Sequence, residues 1–121
     1  MAVTPFADSP RNGAWGDRPY ALIDFPGPTS YTIVSLGPPI TGGQAVDNTV
    51  FGLSAGLEGI IAVTSSSDGQ YGVEVIPLLT PQGQPTKLWT LSWYVLHTGA
   101  EVTGTTNLST VTVRLLAFGP Y

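Results

Sequence analysis

Residues 86–98, TKLWTLSWYVLHT, form the longest stretch of the chain with a β-strand pattern. Large apolar residues recur at every second position, so in an extended backbone they share one face. That face carries Trp89, Leu91, Trp93 and Val95. The other face is of mixed polarity, which predicts partial cover by a second sheet, the N-terminal segment or a neighbouring subunit. We therefore expect a long strand whose aromatic face lies in the core.

Shorter strand patterns flank this stretch. Residues 109–118 alternate in the same way and predict a closing strand, whose apolar face carries Val111, Val113, Leu115 and Ala117. Residues 20–25 (YALIDF) and 31–36 (YTIVSL) are apolar runs that end at Pro/Gly-rich turns, and each predicts a short strand. Residues 50–53 (VFGL) predict either a short strand or one helical turn.

Residues 57–66 and 70–79 flank Ser67-Asp68-Gly69 and predict a β-hairpin with a three-residue loop. Gly69 is expected at positive φ, a conformation that glycine adopts without steric cost. Pairing Ser66 with Gln70 brings apolar residues together on one face, whereas a two-residue turn would shift the register and invert every side chain. The expected buried pairs are Ile61 with Val75 and Val63 with Val73.

Six or more short strands separated by Gly and Pro, without a ten-residue amphipathic helix, predict an all-β antiparallel sandwich or barrel. We favour a jelly-roll-like β-sandwich, with an immunoglobulin-like sandwich second. A length of 121 residues leaves room for one core. The sequence thus divides into an extended N-terminal arm, residues 1–19, and a single β-sandwich domain, residues 20–121.

The arm combines a backbone that resists local folding with side chains suited to binding. Its three prolines remove hydrogen-bond donors and its two glycines loosen the chain. Yet it carries Phe6 and Trp15, which a purely solvated tail rarely contains, together with Arg11 and Arg18. We predict that these four residues bind a partner, and that the arm contacts its own sandwich little.

Charged residues make up only 10% of the chain, against about 25% in typical soluble domains. Part of the surface is therefore expected to be hidden in an assembly, including a homo-oligomer. The net charge of −4 and the four Lys and Arg residues argue against a nucleic-acid partner.

The N-terminus lacks a signal-peptide pattern, and residues 50–63 are too short and too interrupted to span a membrane. We expect synthesis in the cytoplasm and no membrane partner.

No arrangement of residues in the sequence predicts catalysis. His97 is the only histidine, and it is expected at a strand end, where Glu101 could pair with it. Glu58 and Glu74 fall on the two strands of the predicted hairpin without facing each other, which does not suit a glycosidase. The chain lacks cysteine and shows no metal-ligand spacing. No catalytic, metal-binding or cofactor-binding residue and no small-molecule substrate is therefore predicted.

Taken together, the aromatic-bearing arm broken by Pro and Gly, the Thr/Val/Gly-rich β-sandwich and the closing stretch TVTVRLLAF at 110–118 resemble the decoration (cement) proteins of tailed bacteriophage capsids. The resemblance covers the layout of the whole chain. It implies a non-enzymatic protein that binds the outer surface of an assembled shell and clips neighbouring copies of the major capsid protein together. The location it implies is the outside of the virion.

Two other functions remain open from the sequence. One is a recognition module, such as a tail-fibre domain or a carbohydrate-binding β-sandwich, in which Tyr71 and Tyr94 are candidate binding aromatics. The other is a hydrolase that depends on His97.

Overall fold

The computed structural model describes residues 4–5, 12–15, 18–37, 39–53, 56–80, 82 and 84–119. This part of the chain is nearly all β-structure, with two antiparallel sheets and one short helix. Its elements are β1 (Thr4–Pro5), β2 (Asn12–Trp15), β3 (Arg18–Pro26), β4 (Gln44–Val46), α1 (Asn48–Phe51), β5 (Gly59–Ala62), β6 (Tyr71–Leu79), β7 (Pro85–Val95) and β8 (Thr112–Phe118).

The larger sheet has the order β1-β3-β8-β5, and β2 also pairs with β3. All its pairs are antiparallel, and β3 and β8 are in register from Tyr20 opposite Phe118 to Pro26 opposite Thr112. The smaller sheet has the order β4-β7-β6, with the 11-residue β7 in its centre. The expected strands at 20–25, 86–98 and 109–118 are confirmed in their main part by β3, β7 and β8, whereas residues 96–98 and 109–111 lie outside these strands.

A single hydrophobic core contains side chains from both sheets. Leu91 and Trp93 of β7 and Leu115 of β8 have no solvent exposure at all. The predicted apolar faces of β7 and β8 are confirmed, because Trp89 and Val95 pack against the same core and Val113 and Ala117 are buried in it.

The predicted hairpin of residues 57–79 is wrong in its pairing. β5 pairs with β8 and β6 pairs with β7, so the two strands belong to different sheets. Ile61 and Val63, expected in the core, are about half exposed, at 50% and 49%. Apolar alternation indicates a strand but does not identify its partner, and β8 has an edge that β5 can occupy.

The turn within this segment is confirmed in one respect and corrected in another. Gly69 has φ +75°, as expected. The turn does not pair Ser66 with Gln70, however, since the Ser66 N–H donates to the Tyr71 carbonyl at 2.8 Å. Asp68 Oδ1 accepts from the Ser66 hydroxyl at 2.6 Å and from the Gln70 N–H at 3.1 Å. These two donors therefore find their acceptor within the loop itself.

Residues 31–36, expected as a strand, contribute only an isolated bridge between Ser35 and Thr41. The Tyr31 backbone bonds instead with residues 105 and 106 in another loop. Gly42 and Gly43 both have positive φ, and a Cβ at either position would overlap neighbouring atoms. The close approach of this loop to β7 therefore depends on glycine.

The segment 50–53 takes the helical alternative, since α1 spans Asn48–Phe51. Asp47 caps the helix by accepting from the Thr49 N–H at 3.0 Å. Gly52 ends it with φ 71°.

The prediction that the N-terminal arm makes few contacts with its own sandwich is wrong for β1 and β2. Thr4 and Pro5 pair with Asp24 and Ile23, and β2 continues along the same strand, from Asn12 opposite Ala21 to Trp15 opposite Arg18. The physical reason is that the edge of β3 away from β8 carries backbone groups that an extended chain can satisfy.

Candidate interaction site

The four residues predicted to bind a partner fall in the N-terminal part of the larger sheet. Trp15 and Arg18 are directly paired positions at the end of the β2–β3 hairpin, so the structure brings their backbones together. Phe6 and Arg11 lie outside the described residues. The described N-terminal segments thus run along one edge of the five-stranded sheet.

In the described side chains of β3, β8 and β5, the outward face of this sheet is largely apolar. Along β3 and β8, buried inward residues alternate with half-buried outward ones. Leu22, Leu116 and Ile61 are aligned across β3, β8 and β5 and form one outward apolar row. Tyr20 lies opposite Phe118 in the adjacent row. The outward row of three aliphatic side chains belongs to a surface that sequence reasoning missed.

The sequence contained a signal for this surface. A strand with one face in water alternates apolar and polar residues, whereas a strand covered on both faces is apolar at nearly every position. Residues 20–23 (YALI), 60–63 (IIAV) and 115–118 (LLAF) are apolar at both parities. Because Ile61 and Val63 were expected in the core, the sequence analysis overlooked that the outward positions of these strands are apolar too.

The apolar rows end at an ion pair. Arg114 Nε lies 3.1 Å from Asp24 Oδ1, and both side chains are partly exposed. Beside them is a cavity of about 200 Å³ that four hydroxyl-bearing residues also line: Thr64, Ser65, Ser67 and Thr112. The two charges compensate each other, so this end of the face is polar and nearly neutral.

A second cavity, of about 270 Å³, opens where α1 meets the smaller sheet. Trp89, Leu78, Leu88 and Val50 form its apolar walls, and Asp47 and Thr49 contribute polar atoms. The hydroxyl and N–H of Thr49 hold the pKa of the Asp47 carboxyl below its usual value. The cavity can therefore accept an apolar group that carries a hydrogen-bond donor.

Tyr71 and Tyr94, the candidate aromatics of a recognition module, are both half-buried. Tyr94 lies opposite Gly72 in the β6–β7 ladder. A Cβ on Gly72 would lie 2.6 Å from the Tyr94 ring, so the ring covers the glycine backbone. Tyr94 is thus engaged by packing within its own sheet.

A polar network, buried at Trp93 and Gln44 and partly buried at Glu101, joins the loop of residues 27–43 to both sheets. The Tyr31 hydroxyl donates to Glu101 Oε2 at 2.6 Å, and the Val34 N–H donates to the same oxygen at 2.8 Å. Burial, and next the hydrogen bond to Glu101, raise the pKa of Tyr31 above its usual value. Trp93 Nε1 donates to Gln44 Oε1 at 2.8 Å, and Gln44 in turn donates to the Pro26 carbonyl at 2.9 Å.

The residues weighed for catalysis take separate places in the fold. Glu101, which could have paired with His97, accepts hydrogen bonds from the Tyr31 hydroxyl and the Val34 N–H, and His97 is exposed in the turn after β7. Glu74 lies opposite Ser92 in the smaller sheet, while Glu58 bonds through its N–H to Phe118 in the larger one. Asp68 belongs to its turn, as expected.

Within the described ranges, His, Asp and Glu side chains form no group of three or more that could hold a metal ion. None of the helical residues described forms a segment long and apolar enough to cross a membrane.

No protein-family model matches the chain, and the searches of curated proteins and of solved structures find no match either.

Proposed function

We propose that this chain is a non-enzymatic decoration (cement) protein, which binds the outer surface of an assembled viral shell and clips neighbouring copies of the major capsid protein together. Its place is the outside of the virion. Self-association of the chain is part of this proposal.

In finer terms, the fold is proposed to be a jelly-roll-like β-sandwich, with the immunoglobulin-like sandwich as second choice. One core cluster that includes residues of both sheets supports a sandwich. The chain also moves repeatedly between the sheets, because β3, β5 and β8 belong to one sheet and β4, β6 and β7 to the other. Such crossings are typical of Greek-key and jelly-roll connections.

The observation that carries the functional proposal is the apolar outward face of a sheet that is already buried on its inner side. Ile61 and Val63 remain about half exposed there, although they are β-branched aliphatic residues. Together with a charged content of only 10%, such a face favours a protein that works within an assembly. The net charge of −4 favours the outer surface of a shell over its DNA-facing inner surface, where packaged DNA would repel it.

The N-terminal segment is proposed to supply the anchors. Phe6 and Trp15 could each bury about 150–250 Å² against a partner, which suits residues that dominate binding energy. Arg11 and Arg18 would meet acidic groups of the coat protein and contribute to orientation.

Co-sedimentation tests this function. The purified full chain is mixed with assembled shells that lack their decoration protein, and with unassembled coat subunits as the control. We expect saturable binding to shells in a fixed ratio to coat subunits, and little binding to free subunits, because a clip needs two neighbouring subunits. Absence of saturable binding would overturn the proposal.

The cavity lined by Trp89 and Asp47 favours one alternative, a carbohydrate-recognition module. An indole beside a carboxylate offers a stacking surface and a hydrogen-bond acceptor, which sugar rings use. Glycan binding that is lost in Trp89→Ala, without any binding to shells, would favour this alternative.

A further inference from the structure

We infer that the cavity between α1 and the smaller sheet is a binding site for an organic cation with an aliphatic stem, namely an arginine side chain of a partner protein. This inference goes beyond the proposed function, since it rests on the cavity alone and holds for any partner that presents such a side chain.

The charge of the cavity lining favours a cation. Among the described residues that line the cavity, Asp47 is the one charged side chain. Its pKa is below the usual value for Asp, so the carboxylate is negative at neutral pH. Hydrogen bonds, first that of the Thr49 hydroxyl, lower this pKa, and no neighbouring cation is among the causes. In the described part of the chain, no cation pairs with Asp47. A ligand can therefore supply the missing counter-charge.

The cap of α1 does not require this charge. The N–H and the hydroxyl of Thr49 both donate to one oxygen, Asp47 Oδ1. A neutral Asn or Ser caps a helix about as well as Asp does. A carboxylate has about four acceptor positions on its two oxygens. Asp47 thus retains acceptor capacity for a donor that enters the cavity.

The walls of the cavity favour a cation with an apolar stem. Most of the lining is apolar, namely Val46, Val50, Leu78, Leu88 and Trp89. A hydrated metal ion would lose water against these groups and gain a single carboxylate in exchange, which is too few oxygen ligands. An arginine side chain has methylene groups that suit aliphatic walls. Its guanidinium is weakly hydrated and packs favourably against an indole.

The size and position of the cavity suit one side chain. Its volume of about 270 Å³ lies just below the roughly 300–1,000 Å³ of pockets that take drug-sized ligands. Val46 is buried and Trp89 packs against the core, whereas Leu88 is 46% exposed. The core therefore holds one part of the lining in place, and another part is open to solvent.

A nuclear magnetic resonance titration of the full chain with N-acetyl-arginine amide tests the inference. N-acetyl-citrulline amide is the matched probe, because citrulline keeps the stem and the shape of arginine but is uncharged. The indole N–H signal of Trp89, identified by its absence from Trp89→Phe, reports occupation of the cavity. The indole N–H of the buried Trp93 is the internal reference, because it is bonded to Gln44 in the core.

We expect saturable binding of the arginine probe that shifts the Trp89 signal and leaves the Trp93 signal in place. The citrulline probe should bind wild type at least about threefold more weakly, and so should the arginine probe bind Asp47→Asn, because each change removes a partly exposed ion pair. Asn keeps the helix cap, so this variant stays folded. Glu74→Gln removes an exposed carboxylate outside the lining and should leave binding unchanged.

A second pair of variants tests the contact with the stem. Leu88→Ala shortens one apolar wall and should weaken binding of the arginine probe about threefold. Leu96→Ala changes a leucine of similar exposure, 39%, that is not part of the lining and should have no effect. Equal losses in the two variants would contradict the inference.

Three further results would overturn the inference. One is the absence of saturable binding, or equal binding of the arginine and citrulline probes to wild type. Another is binding of a neutral methyl glucoside in place of the arginine probe, which would favour the carbohydrate alternative. The third is binding of the arginine probe to Lys87→Ala only, which would show that Lys87 of the same chain occupies the cavity.

Discussion

At the scale of single residues, a few buried polar groups specify how the long loop of residues 27–43 attaches to the sheets. One carboxylate oxygen of Glu101 accepts from the Tyr31 hydroxyl and from the Val34 N–H. The Tyr31 hydroxyl in turn accepts from the backbone N–H of Trp93 at 3.2 Å. Each of these donors would be left unsatisfied without its acceptor, so the network contributes to stability mainly through what its loss would cost.

Glu101→Ala is therefore expected to lower the free energy of unfolding by about 1–3 kcal/mol, since two donors lose their acceptor. Glu74→Ala is the matched control, because Glu74 is an exposed residue in the β6–β7 ladder. Urea unfolding measures both variants. An equal loss in the two would show that the Glu101 contacts contribute nothing specific.

Trp93→Ala should cost more, about 3–5 kcal/mol, because it leaves a large cavity and removes the indole donor to Gln44 Oε1. Trp93 has no exposed surface, and its indole N–H bonds to Gln44 Oε1 at 2.8 Å. The half-buried Trp89 is the comparison, and Trp89→Ala should cost clearly less. If Trp89→Ala destabilised the protein as much as Trp93→Ala, the position of the core relative to β7 would be misassigned.

At the scale of elements, the sequence predicted which segments are strands better than how they pair. β3, β7 and β8 follow from alternation and turn residues within a short window. The partner of β5 depends on distant residues, since Ile61 lies opposite Leu116 of β8. Nothing within residues 57–79 distinguishes that arrangement from a hairpin with β6, because both make use of the same turn at Gly69.

The loop of residues 27–43 illustrates a second limit. YTIVSL at 31–36 has the composition of a strand, yet its backbone bonds with other loops. Gly43 makes the loop possible, because its φ is +71° and a Cβ there would overlap Thr90 Oγ1. A close approach of this kind depends on a residue 47 positions away and is not visible in a local pattern.

Gly43→Ala should consequently be much more destabilising than Gly69→Ala. Both glycines have positive φ, which costs alanine about 1–2 kcal/mol, but a Cβ on Gly69 meets nothing within 4 Å. Gly43→Ala adds a steric overlap of typically 1–3 kcal/mol more. Thermal unfolding of the two variants measures the difference. Similar melting temperatures would mean that the loop does not lie against β7 as described.

At the scale of the whole molecule, the proposed function depends on the N-terminal segment and on the apolar outward face of the larger sheet. The N-terminal segment is proposed to bind the coat protein, and the apolar outward face of the larger sheet favours a protein that works within an assembly. The sequence pointed to the N-terminal segment through Phe6 and Trp15, whereas the outward face required knowing that β3, β8 and β5 are neighbours. Because β1 and β2 pair with β3, part of the N-terminal segment belongs to the larger sheet and completes its edge.

Binding of a truncated chain to assembled shells tests the central claim most directly. Deletion of residues 1–17 removes β1 and β2 but keeps β3, which begins at Arg18 and remains paired with β8. We predict that the truncated chain stays folded but binds shells at least about a hundredfold more weakly, because two aromatic anchors are lost. Undiminished shell binding by the folded, truncated chain would contradict the account.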